Sequence, residues 1–235
     1  MRTVAIIGDS KGIGLALREQ LLSEGVRVIG VSRTGAQATG DYTGLVFDAV
    51  AHPCDLTSFT DRLDGLVYCP GTIALKPVRG VKPEQVLEDF KVNALGFLQT
   101  VQANLKLLKA AAASPDGGVP SVVGFSTVAV QTGMGFHASI AAAKGAVEGL
   151  VRTMAAEFAP DIRVNAIAPS LTDTPLAATL LSTDAKREAS AERHPLKRIA
   201  SAQDVAAAAA FLLSPASAAM TGQVMQVDNG MSTVR

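Results

Sequence analysis

Short runs rich in β-branched residues alternate along the chain with longer segments of helical periodicity. Val4–Ile7, Val26–Val31, Leu45–Phe47, Leu66–Tyr68, Val119–Phe125, Ile162–Ile167 and Gln223–Val227 are mostly continuous apolar runs. That is the pattern of strands covered on both faces. Between them, helical spacing runs over Ile13–Ser23, Leu56–Leu63, Pro83–Ala112, Ser139–Phe158 and Ala202–Leu213. The alternation predicts an α/β fold: a parallel, doubly wound sheet of about seven strands, with helices on both faces. No linker or internal repeat divides the chain, so residues 1–235 read as a single domain. Ser114–Pro120 reads as a loop, because another strand and the main helix follow it at normal spacing. Residues 175–195 are amphipathic but less regular. At that place in a doubly wound fold they predict a lid over the ligand crevice.

Composition narrows the classes. At 235 residues, 48% hydrophobic and 18% charged, the chain can bury a sizeable core. Lys+Arg and Asp+Glu both number 21, which gives no electrostatic case for nucleic acid or an anionic membrane. Apolar stretches are too short and broken to span a bilayer. The N-terminus runs into a strand and a glycine turn without a cleavage-site pattern, so no signal peptide is expected. Cys54 and Cys69 lack metal-ligand spacing. The expectation is a reduced cytoplasmic protein without a metal site.

The first chemistry-bearing feature follows the first strand. Gly8, Ser10, Lys11, Gly12, Ile13 and Gly14 form a glycine turn that opens a helix. Glycine permits the tight turn and a close approach of phosphates, and the helix offers unpaired N–H groups and a positive dipole end. In this strand–turn–helix setting the turn predicts a Rossmann-type dinucleotide site. The second strand ends Val31-Ser32-Arg33, without the carboxylate that would hold the ribose hydroxyls of NAD. Arg33 and Lys11 are suited to a 2′-phosphate, so NADP(H) is favoured over NAD(H).

The spacing Gly-x-x-x-Gly-x-Gly resembles the short-chain dehydrogenase/reductase family, and the resemblance runs through nearly the whole chain. Gly71 matches the last residue of the family's Asn-Asn-Ala-Gly turn, although both Asn are lost. Asn93 matches an Asn that kinks the long helix and holds a water near the active-site Lys. Asn165 to Thr174 resembles Asn-x-x-x-Pro-Gly-x-x-x-Thr, with Ser170 in place of the Gly. There the resemblance implies that Ile167 bonds the nicotinamide amide through its backbone and that Thr174 contacts the diphosphate. Thr221–Gly230 matches the last strand. Asp48 or Asp55 would contact the adenine ring; the sequence leaves that choice open.

The family's catalytic Tyr lies four residues before a Lys and thirteen after a Ser. Here Lys144 is present, Ile140 fills the Tyr position and Thr127 the Ser position. An isoleucine can neither give nor take a proton, and a positioned acid contributes ~10²–10⁴-fold. If the helix extends back to His137, then His137, Ile140 and Lys144 share one face, and an imidazole can carry a proton near neutral pH. His52 and His194 read as loop residues. Tyr68 reads as a wall of the cofactor pocket.

Two function classes lead. One is an NADP(H)-dependent oxidoreductase acting on an unknown carbonyl or alcohol, with Thr127, Lys144, Asn93 and His137 as its catalytic group. The other is a non-catalytic NADP-binding sensor or scaffold. A third reading is a non-redox enzyme on the same scaffold. The expected partner besides a small-molecule substrate is a second copy of the chain, in a homotetramer or homodimer. The small residues of Ser139–Gly149 permit close helix approach, and the family pairs this helix across a two-fold axis.

Overall fold

The computed structural model describes residues 1–115 and 118–234; of the loop expected over 114–120, residues 116 and 117 lie outside the described residues. Seven strands form one sheet: β1 (Thr3–Ile7), β2 (Arg27–Ser32), β3 (Tyr42–Val46), β4 (Gly65–Tyr68), β5 (Ser121–Phe125), β6 (Arg163–Pro169) and β9 (Val224–Val227). Their order is β3-β2-β1-β4-β5-β6-β9 and every neighbouring pair is parallel. A second, two-stranded parallel pair joins β7 (Thr172–Asp173) to β8 (Ala200–Ser201). The helices are α1 (Gly12–Ser23), α2 (Pro83–Phe90), α3 (Gly96–Ala112), α4 (Ala129–Thr132), α5 (Ala138–Phe158), α6 (Asp184–Glu192) and α7 (Ala202–Leu213). This is the doubly wound Rossmann-type architecture the alternation predicts.

Alternation along the strands feeds two cores. Ala5 and Ile7 pack with Phe97 and Val101 of α3 and Val147 and Val151 of α5. Val4 and Ile6 face the other way, against Leu17 and Leu21 of α1 and Val205 and Ala209 of α7. Each fully buried aliphatic side chain contributes ~1.5–3 kcal/mol. Sequence order reverses direction between β1 and β4, so a crevice opens beyond the carboxyl ends of those strands.

One expected element does not form. Leu56–Leu63 holds only a short turn at 57–59. Its backbone is drawn to α3 instead: Leu56 N–H donates to Asn104 Oδ1 at 3.0 Å, and Leu63 N–H to the Leu107 carbonyl at 3.1 Å. The apolar spacing there reflects burial of Leu56 and Leu63 in the core rather than helical periodicity. The segment read as one helix over Pro83–Ala112 is continuous but contains a π-helical turn, Lys91–Leu95, between α2 and α3. Among the described residues, no helix is long and apolar enough to cross a membrane.

Candidate active site

The glycine turn is shaped by what its residues lack. Gly8 and Gly12 have φ of +86° and +56°, the left-handed region that favours glycine. A Cβ on Gly14 would lie 2.2 Å from the Gly8 carbonyl oxygen, so the α1 terminus can approach β1 only without a side chain. Lys11 is the N-cap of α1 and provides no side-chain cap; no acidic residue stands in the first turn. The free N–H groups and positive end of α1 are therefore open to an anion. Thr174 sits against this turn, with its Cβ 3.4 Å from where a Gly12 Cβ would be. Lys11 and Arg33 are exposed, and neither has an acidic partner within 4 Å among the described residues. Ser10 is half-buried in the turn, and Arg33 follows the end of β2 directly.

Asp48 follows β3 by two residues; its Oδ1 accepts from the Val50 and Ala51 N–H groups at 3.0 and 3.2 Å. Asp55 is exposed and accepts from the Thr57 N–H at 2.8 Å. Sequence reasoning passed over Asp9. Its carboxylate is buried and bonded by the Tyr42 hydroxyl at 2.6 Å and Arg18 Nη1 at 3.2 Å. Room for it exists because residue 30 is glycine, where a Cβ would meet Asp9 Oδ2 at 1.9 Å.

A cavity of about 350 Å³ opens beside this turn. Ile13, Gly71 and Thr174 line its nucleotide side, and Thr127, His137, Ile140 and Lys144 line its inner wall. α5 starts at Ala138 with His137 as its N-cap, and Ile140 and Lys144 follow on one face. Lys144 Nζ donates to the Phe125 carbonyl at 2.8 Å. Burial pushes its pKa down to about 8. Thr127 Oγ1 accepts from the Ala129 N–H at 3.3 Å, which leaves the hydroxyl proton for the cavity. The loop carrying Thr127 is tied to α5 by Glu148, whose Oε1 accepts from Ser126 Oγ at 2.7 Å and Gln131 Nε2 at 2.8 Å. His137 Nδ1 lies 2.7 Å from the Gly135 carbonyl, so Nε2 is the nitrogen left for a ligand. Ile140 is 5% exposed and adds only hydrocarbon to the wall.

Asn93 does not line the cavity but stands behind it, in the π-helical turn. Its Nδ2 donates to the Asp89 carbonyl at 2.7 Å and to Thr72 Oγ1 at 3.0 Å. Its Oδ1 is buried and without a hydrogen-bond partner. A point above Gly71 lies 3.3 Å from that oxygen and 3.6 Å from Lys144 Nζ. Ile167 is buried in β6 beside this end of the crevice, and its carbonyl accepts from the Ser126 N–H at 2.7 Å.

One sequence expectation is corrected, and another is extended. Tyr68 is not a pocket wall: its ring packs 6.0 Å from Phe97 in the core. Its hydroxyl donates to the Val92 carbonyl at 2.7 Å, a group freed by the π-helical turn. The neighbouring Cys69 lines the cavity instead. His194 lies in the loop after α6, as expected, and is wholly buried there, with Nδ1 2.7 Å from the Ser190 carbonyl and Nε2 2.9 Å from Ser170 Oγ. It pins the end of α6 to the turn after β6. The departure of Ser170 from glycine supplies the hydroxyl that His194 needs. The rest of the 175–195 segment is anchored by Arg187, which pairs with Asp173 at 2.7 Å.

This fold and this crevice place the chain in a class that comparison with known proteins identifies directly. A sequence profile described as enoyl-(acyl carrier protein) reductase matches residues 7–232. The chain belongs to the short-chain dehydrogenase/reductase family. It is 34% identical to L-xylulose reductase of Bos taurus, covering 97% of this chain and 96% of that protein. A tropinone reductase homolog of Arabidopsis thaliana is 32% identical over 97% of this chain and 91% of its own length. The solved 3-ketoacyl-(acyl-carrier-protein) reductase of Brucella melitensis, complexed with NADH, superposes with a TM-score of 0.85 at 25% identity, covering 98% of each chain.

Proposed function

We propose that this protein is an NADP(H)-dependent oxidoreductase that interconverts a carbonyl compound and its alcohol without a phenolic proton donor. The observation that carries the reading is the shared cavity: Thr127, His137 and Lys144 line the same space that opens onto Gly71, Thr174 and the uncapped terminus of α1. The residues present fit a nicotinamide dinucleotide. Gly8, Gly12 and Gly14 clear the approach to the α1 terminus, and Ser10, Ile13 and Thr174 flank it. Arg33 and Lys11 supply the 2′-phosphate contacts, Asp48 the adenine contact, and Lys144 the ribose contact. The bound cofactor supplies a hydride.

The chain does the rest. Thr127 donates a hydrogen bond to the substrate oxygen, keeping its proton, and so orients the carbonyl. Lys144 holds a positive charge near the oxygen as negative charge develops. His137 Nε2 carries the proton that the missing phenol would deliver, and Asn93 keeps the polar, water-holding space beside Lys144. Tyr42 and Tyr68 are committed elsewhere, through bonds to Asp9 and to the Val92 carbonyl. Ile73, Leu75, Met134, Leu171, Leu176 and Leu180 make the remaining walls mostly apolar, which suits a substrate with a hydrocarbon body. Residues 175–195 act as its lid within a single domain.

The working unit is a homotetramer or homodimer. A groove lined by Phe90, Leu95, Leu98, Ala146, Gly149 and Leu150 runs between α5 and the α2–α3 unit, and suits a two-fold copy. Free Cys54 and Cys69 suit a reducing cytoplasm. The test follows NADPH absorbance with a panel of aldehydes and ketones, alongside calorimetric titration of both cofactors. Oxidation of NADPH with one carbonyl class, and tighter binding of NADPH than NADH, are the expected results. NADPH binding with no turnover on any carbonyl or alcohol would favour the sensor or scaffold reading, for which Ile140 is the supporting residue.

A further inference from the structure

Asp89 takes part in no step above, yet its carboxylate is wholly buried near the cavity. It lies one helical turn before Asn93 in α2 and is 0% exposed. Oδ1 accepts from Thr72 Oγ1 at 2.6 Å and Gln85 Nε2 at 3.3 Å, and Oδ2 accepts from the Ser139 hydroxyl. No Lys, Arg or His nitrogen approaches it within 4 Å among the described residues. A carboxylate buried with hydrogen bonds alone is expensive unless a cation stands in the same low-dielectric region.

That cation is Lys144. Thr72 Oγ1, bonded to Asp89, also accepts from Asn93 Nδ2. The unpartnered Asn93 Oδ1 and Lys144 Nζ lie within 4 Å of one point above Gly71. Hydrogen bonds thus join Asp89, Thr72 and Asn93, and the free Asn93 oxygen borders the same space as Lys144 Nζ. Ser139, beside Ile140, fixes the second oxygen from α5.

We propose that Asp89 is the counter-charge of this cavity, a positioning residue that keeps Lys144 an ammonium and, through Thr72 and Asn93, directs its free N–H groups. The proposal rests on the reading of Lys144 as the cation that serves the substrate oxygen. Burial lowers the Lys144 pKa, and Cys69 and Asp89 are the two groups whose negative charge opposes the fall. Burial, with Asp9 adding to it, pushes the Cys69 thiol up to about 12, so it is neutral where Lys144 titrates. The other groups facing Lys144 do not replace Asp89. Glu148, one turn on along α5, is spent on Ser126 and Gln131 and lies 3.7 Å from Arg152. From β5 comes only the Phe125 carbonyl, and His137 across the cavity brings no negative charge.

The test is a pH titration of the full chain with ¹³C/¹⁵N-labelled lysine, read by NMR, with the Lys144 signal assigned by Lys144→Arg. The parent midpoint should fall near 8. Asp89→Asn keeps the shape and should lower that midpoint by about one pH unit or more, since a nearby opposite charge shifts a pKa by ~1–3 units. Should Asp89→Asn fail to fold, Asp89→Ser, whose hydroxyl can still bond Thr72 and Ser139, removes the same charge and should lower the Lys144 midpoint likewise. A Lys144 midpoint unmoved in a folded variant that lacks the Asp89 charge overturns the proposal. Neither measurement needs a substrate, so a failure to find turnover counts against the function proposed above and not against this coupling.

Discussion

The two sides of the crevice are specified in opposite ways. The nucleotide side is made by missing atoms: Gly8, Gly12, Gly14 and Gly30 each occupy a place where a Cβ would strain the backbone or meet a neighbour. The reaction side is made by side chains gathered from far apart, Thr127 after β5, Lys144 from α5, Asn93 from the π-helical turn and Thr72 after β4. Spaces set by backbone tolerate no substitution but follow a short motif. Sites set by side chains tolerate exchange of their members, and here an isoleucine, Ile140, lines the wall between His137 and Lys144. The nucleotide side should therefore fail as a unit, and the reaction side step by step.

The largest effect expected is at Gly14. Gly14→Ala places a Cβ 2.2 Å from the Gly8 carbonyl, where the contact is backbone on both sides and cannot swing away. Overpacking of this kind costs ~3 kcal/mol or more, which lowers Tm by roughly 10 °C in a chain of this size. NADPH binding should fall below detection by calorimetry even in the folded fraction. A parent-like Tm with parent-like affinity would show that the turn has more slack than its geometry allows.

Second comes the reaction side, where binding and turnover separate. His137→Ala should lower turnover by ~10²-fold with little change in NADPH affinity, because a general acid acts in the transition state. Steady-state kinetics on a confirmed substrate, paired with a cofactor titration, checks both halves of that statement. Full turnover in the variant would move the proton donation to Lys144 through water.

How legible each side was follows from the same contrast. Strands and the glycine turn were readable because they rest on local rules: apolar runs for buried strands, and glycine where the chain must turn tightly. Asn93 was readable through its match to a helix-kinking Asn, and it lies in the π-helical turn. Asp89 was not, although it sits four residues earlier on the same face, since only the tertiary fold brings Thr72 and Ser139 to it. Tyr68 was misplaced because an apolar strand run does not say which face each residue takes. Its hydroxyl goes to the π-helical turn rather than the crevice. The burial of His194 in its loop was not readable because its partner, Ser170, lies 24 residues away. The Leu56–Leu63 helix failed for a related reason, since Asn104 claims its backbone from α3.

The smallest expected effect tests cofactor choice. Arg33 follows β2 directly and is exposed, with no acidic partner within 4 Å among the described residues. Its removal should leave the fold untouched, unlike that of Gly14. A charge-assisted hydrogen bond is worth ~1.5–3 kcal/mol, and about 1.4 kcal/mol is tenfold in affinity. Arg33→Ala should therefore weaken NADPH binding roughly tenfold or more and leave NADH nearly unchanged, because only NADPH carries the 2′-phosphate. The loss should shrink as salt is raised, since both partners are exposed to solvent and screened. Lys11→Ala should act in the same direction, and the double variant should bring the two cofactors close to equal affinity. Equal affinity for NADPH and NADH in the parent protein would instead mean that Lys11 and Arg33 are ordinary surface cations.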